Sequence, residues 1–190
     1  MKKLLTLGIF LCLGSTLFSQ VTVKAGNTLV YKVNEYDAPV EQTVTFESIT
    51  PDIKVSWLKK NKYNDKGTLV VKPQAKESAI NLVFNFPISS NNDELYDVLL
   101  GFMVSKKILS DLKTNKKAIV RLDCSLKSEE LTYKSIQPIN VIIGGKTQTV
   151  NCVNVGWGTF GDEMWILDNA DMPIIVKLSA ITKFELTEIK

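Results

Sequence analysis

The sequence predicts a mostly β protein, a curved antiparallel sheet or half-barrel with one short helical insertion. Three observations carry this reading. Roughly ten short runs of β-favouring residues recur at regular spacing, each bounded by turn residues. Within many of them apolar and polar residues alternate, the period of a half-buried strand. Only the segment at about 92–113 places its apolar residues at helical spacing, an approximate boundary set by capping residues at its start.

The elements follow in order. Thr28 to Tyr36 reads TLVYKVNEY, with Leu29, Tyr31 and Val33 alternating, and Asp37-Ala38-Pro39 turns the chain into Val40 to Ile49 as a first hairpin. Thr50-Pro51-Asp52 breaks the pattern before Ile53, Val55 and Trp57, and the polar stretch Lys59 to Lys66 ends at Gly67. Thr68 to Lys72 is a strand stopped by Pro73, and Leu82 to Phe86 is another stopped by Pro87. Leu95, Val98, Leu99 and Phe102 then fit a helical face, and Ser105 is placed to cap a second short helix carrying Ile108, Leu109 and Leu112. This segment reads either as a plug in the core or as a lid over a cavity. Strands resume with Ala118 to Leu126, Leu131 to Ile136 and Ile139 to Ile143. Gly144-Gly145 supplies the positive φ of a tight turn into Thr147 to Val155. Met164 to Leu167, Ile174 to Leu178 and Thr182 to Ile189 complete the sheet.

The N-terminus has the grammar of a secretory signal peptide. Lys2 and Lys3 precede the apolar run Leu4 to Leu13, which is followed by small and polar residues. The run is about half the length needed to span a bilayer as a helix. Cleavage is placed after Ser19, giving residues 1–19 as the signal and 20–190 as a single β-rich domain, and the bond after Gln20 also fits. Cys12 lacks a small residue before it and reads as part of the discarded peptide. The expected product is periplasmic or secreted, with no stable membrane insertion. Without Lys2 and Lys3 the 23 basic residues become 21, against 20 acidic ones. That balance, with Arg121 as the one arginine, argues against an electrostatic nucleic-acid partner. The chain contains no histidine, which removes His-based triads and His metal ligands.

Cys124 and Cys152 are the disulfide candidates of the exported chain, the alternative being two buried thiols. No catalytic residue is assigned: Asp162 with Glu163, Asp168 with Asp171, and Glu129 with Glu130 read as turn carboxylates. No phosphate loop, nucleophile elbow or metal motif is present, so no metal or cofactor is expected. Trp157, Phe160 and Trp165 lie close together and are separated by glycines, which makes them the candidate ligand contacts if they are not core.

Two segments resemble a group of exported bacterial β-proteins of unknown function: Phe102 to Lys113, with its serine-capped helix, and Trp165 to Lys177, reading WILDNADMPIIVK. Met172 and Ile174 stand where leucines are expected around Pro173. The resemblance implies a curved sheet or half-barrel and carries no catalytic residue. The expected function is therefore non-enzymatic binding of a lipid or other apolar ligand in the concave sheet, with Leu95 to Leu112 as lid. The alternative is a structural or protein-interaction module of the cell envelope, with an envelope protein as partner.

Overall fold

The computed structural model describes residues 21–34, 39–84, 93–123 and 125–190. Thirteen strands form one sheet. The first four are β1 (Thr28–Asn34), β2 (Pro39–Ser48), β3 (Ile53–Lys59) and β4 (Lys66–Val71), an antiparallel meander. Their alternation buries Leu29, Tyr31, Val33, Val44, Phe46, Ile53, Val55, Trp57, Leu69 and Val71. Helix α1 (Pro73–Ser78) leads to β5 (Asn81–Val83), and β6 (Asp93–Leu95) and β7 (Val98–Leu100) follow. Helix α2 (Lys106–Asn115) precedes β8 (Lys117–Leu122). The remaining strands are β9 (Ser128–Ile143), β10 (Lys146–Trp157), β11 (Asp162–Leu167), β12 (Ile175–Ser179) and β13 (Lys183–Ile189).

The sheet runs β6-β4-β3-β2-β1-β13-β12-β11-β10-β9-β8-β5-β7, with an added pairing of β13 to β9. One edge of β13 pairs with β1; the other pairs with β12 over Lys183 to Glu185 and then with β9 at Glu188 and Ile189. Strands β9 to β13 thus close into a ring of five. In an antiparallel meander of odd number the first and last strands run the same way, so the closing pair has to be parallel, as Glu188↔Ile142 and Ile189↔Ile143 are. The mostly β, curved-sheet reading of the sequence holds.

Three local expectations are corrected. Leu95 to Phe102 does not form a helix: β6 and β7 are three-residue strands parallel to β4 and β5. The described helix of the expected 92–113 segment is α2 alone. Ser105 caps it, its hydroxyl accepting from Ile108 N at 3.3 Å, and Ile108, Leu109 and Leu112 are buried. Pro73 does stop β4, but it also opens α1 as its first residue, since proline lacks an N–H that the first turn does not need. The two strands expected on either side of Pro138 are one, β9, because Pro138 lies opposite Asn151 without interrupting the ladder.

Segment 102–104 joins the halves of the molecule. Phe102 packs edge-on against Phe46 at 6.0 Å, and its carbonyl accepts from Ile175 N. Met103 bridges Ile174, and Tyr31 Oη donates to the Ile175 carbonyl at 3.1 Å. Phe102 is fully buried, so Phe102→Ala is expected to lower stability by about 3–5 kcal/mol in urea unfolding. Ser105→Ala, which removes a cap and no apolar volume, is expected to cost about 1 kcal/mol in the same measurement.

Candidate functional site

The three aromatic candidates do not converge. Trp157 lies opposite Asp162 and Trp165 opposite Asn154 in the β10–β11 ladder, and the odd spacing sends the two indoles to opposite faces of the sheet. Trp157 is buried and stacks on Phe84 at 6.1 Å. Trp165 is also buried; its Nε1 donates to Gln137 Oε1 at 2.7 Å, and Lys177 Nζ sits 5.2 Å from its ring centre. Phe160 stands apart at the β10–β11 turn, 94% exposed. Gly158 (φ 63°) and Gly161 (φ 78°) fix that turn in left-handed geometry that a side chain would strain. The apolar residues of Leu95 to Leu112 are mostly core: Leu95, Leu99, Phe102, Ile108, Leu109 and Leu112 are all buried.

The disulfide expectation is corrected as well. Cys152 is a free, buried thiol, and Cys124 lies outside the described residues. Burial, with a smaller contribution from the charge of Asp168, pushes the Cys152 thiol up to about 12.

Two of the carboxylates considered as acid–base pairs are ion-paired with lysines. Glu163 is ion-paired with Lys134, and Asp168 with Lys113 at 2.6 Å. Asn169 orders the turn around Asp171, accepting from Asp171 N at 2.9 Å and donating to Val21 O at 2.7 Å. A second polar group lines a surface groove of about 370 Å³ beside Glu47, Lys54 and Thr68. There Lys72 Nζ bonds Glu94 at 2.8 Å and Asp52 at 3.2 Å, and Tyr96 Oη donates to Glu94 at 2.6 Å. The hydrogen bond to Glu94, then that to Asp52, raises the Lys72 pKa, and the Lys72 bond lowers that of Glu94. These groups face water, so screening leaves the cluster little weight in stability.

The most distinctive surface lies at one end of the sheet. Successive antiparallel strands reverse direction, so the β8–β9, β10–β11 and β12–β13 turns share an end. Asn34 lies opposite Lys183, which brings the start of β2, and hence the β3–β4 turn, to that same end. Each of these four turns carries one large apolar residue in water: Tyr63 (75% exposed), Leu126 (96%), Phe160 (94%) and Ile181 (95%). At the opposite end the turns 49–52, 144–145 and 168–174 show no comparable residue, Met172 and Ile174 being buried. Tyr96, in the β6–β7 connection, is half-exposed but tied to Glu94.

The turns are internally braced. Asn61 Oδ1 accepts from Tyr63 N at 3.0 Å and Asn61 Nδ2 donates to Asp65 Oδ2 at 2.7 Å, while Ser125 Oγ accepts from Lys127 N at 3.1 Å. Sequence reasoning selected Phe160 and missed Tyr63, Leu126 and Ile181. The available signal was a solitary apolar residue among turn formers, as in Asn61-Lys62-Tyr63-Asn64 and Ser125-Leu126-Lys127.

No family model, curated protein or solved structure matches this chain. No group of three or more metal-binding side chains occurs among the described residues, and no described helix is long and apolar enough to cross a membrane.

The buried thiol yields a direct check. In a chain whose Cys12 and Cys124 are replaced by alanine, Cys152 is expected to resist a thiol reagent at pH 8 while native and to react fully once unfolded. Its raised pKa also sets a sign: stability is unaffected below the ordinary thiol value near 9 and falls as pH rises from there toward 12, because the unfolded chain releases that proton first.

Proposed function

We propose that this is an exported, non-enzymatic binding module of the cell envelope that works through the end of its sheet bearing Tyr63, Leu126, Phe160 and Ile181. The observation that carries the reading is the concentration of these four exposed residues on four turns of a single end. Taken singly, exposed apolar side chains are ordinary; four confined to one end form a surface. Moving each out of water is worth about 1.5–3 kcal/mol, enough in combination for a specific association and too little for any one residue alone.

The terminal strands of the sheet offer little to strand addition. The two ends of the sheet, β6 and β7, are three residues long, and the two-residue connection Tyr96-Asp97 brings them together. A partner strand would find short edges there. The N-terminal lysines and the apolar run Leu4 to Leu13 support export to the periplasm or beyond. The resemblance to exported β-proteins of unknown function supports the same compartment.

A curved sheet of this size also suits a carrier of one lipid or other apolar molecule, with Trp157, Phe160 and Trp165 as contacts. Those residues do not converge, so the carrier reading draws less from the geometry. It requires a bound mass in native mass spectrometry that disappears on denaturation.

The module reading is tested by replacing Tyr63, Leu126, Phe160 and Ile181 together with serine. Association with the envelope fraction of the producing cells is expected to fall at least about tenfold, the equivalent of 1.4 kcal/mol. The unfolding midpoint is expected to stay close to that of the wild type, since exposed substitutions away from packed features change stability little. Unchanged association would overturn the proposal.

A further inference from the structure

Resting on the module reading, the geometry points to a lipid bilayer surface as the partner of this end: Tyr63, Leu126, Phe160 and Ile181 enter the interfacial region, and neighbouring lysines meet anionic headgroups. Three features select this occupant over a folded protein. The first is the form of the apolar surface. Each residue sits on its own turn, flanked in sequence by small or polar turn residues, so the apolar surface is presented as separate tips rather than as one strand or helix face. A bilayer interface deforms around separate points and accommodates each side chain independently.

The second feature is charge. Lys62 is adjacent to Tyr63, Lys127 to Leu126, and Lys183 lies two residues from Ile181; all three are exposed and carry no ion pair among the described residues. Two acids of the same turns are held in local hydrogen bonds, Asp65 accepting from Asn61 and Asp123 from Phe84 N at 2.8 Å. Cations next to apolar tips are what an anionic membrane surface attracts.

The third feature is bracing. The hydrogen bonds of Asn61 and Ser125 and the positive-φ glycines around Phe160 hold the turns in shape. The apolar residues are thus displayed in water without the freedom to fold back onto the protein. Little conformational freedom is left to lose on binding, which favours insertion.

The test uses full-length protein recovered after export, with vesicles of phosphatidylglycerol and phosphatidylethanolamine, and neutral phosphatidylcholine vesicles in parallel. Wild-type protein is expected to co-float with the anionic vesicles, to bind neutral ones at least about fivefold more weakly, and to be released as salt rises. The fourfold serine variant is expected to lose binding at least tenfold. It keeps any residual N-terminal apolar segment, so binding that survives in it comes from that segment and overturns the inference.

A second readout places the tip directly. Trp57, Trp157 and Trp165 are buried, so Phe160→Trp introduces an exposed indole. Its emission is expected to shift to the blue on anionic vesicles and to be quenched by brominated acyl chains. No shift with wild-type affinity intact would overturn the assignment of Phe160. If turn-dependent association with envelopes persists while pure lipid vesicles are not bound, the partner is a protein: the bilayer inference fails and the module reading stands.

Discussion

Strand β13 joins the molecule's two halves, and its divided edge sets the rest of the architecture. Its pairing with β1 attaches the N-terminal meander, while its other edge is shared between β12 and the end of β9. The change of partner follows a bulge: Tyr31 lies opposite Leu186 and Val30 opposite Glu188, so Thr187 is the extra residue. A bulge adds local twist, and here the strand leaves β12 and meets β9 just beyond it. Closing the ring of five satisfies backbone groups that an open β13 would leave bare.

The same economy extends to the ends of the sheet. Chain segments 93–95 and 98–100 are separated by two residues, yet one pairs with β4 and the other with β5, which stand second and twelfth in the strand order. The terminal strands of the sheet are thereby kept short, which gives another chain little to pair with at those two edges. The turns differ sharply between the two ends: one presents Tyr63, Leu126, Phe160 and Ile181 to water, while the other folds Met172 and Ile174 inward.

Much of this was legible in the sequence because strand periodicity is local. Leu29, Tyr31 and Val33, or Ile53, Val55 and Trp57, announce their faces whatever they pack against, and Ser105 announces a cap within three residues of its acceptor bond. What failed depended on distant partners. Leu95, Val98, Leu99 and Phe102 satisfy a helical stripe, but neighbouring strands β4 and β5 offered edges that captured the segment in extended form. Pairing Cys124 with Cys152 would need a register that no single strand reveals, and Cys152 is a free, buried thiol. Trp157 and Trp165 look clustered along the chain, but an odd spacing across the β10–β11 ladder sends them to opposite faces. Three of the four exposed tips were missed because exposure at a shared end emerges only once the order of the turns in space is known.

Hydrogen exchange read by mass spectrometry, on the protein alone and bound to membranes from the producing cell, tests the proposed binding end most directly. Protection is expected in the turns at 60–65, 123–127, 158–161 and 180–182, with exchange at 49–52, 144–145 and 168–174 unchanged. Protection confined to the opposite end, or spread along a strand edge while the four turns exchange freely, would contradict the assignment of this end as the binding surface.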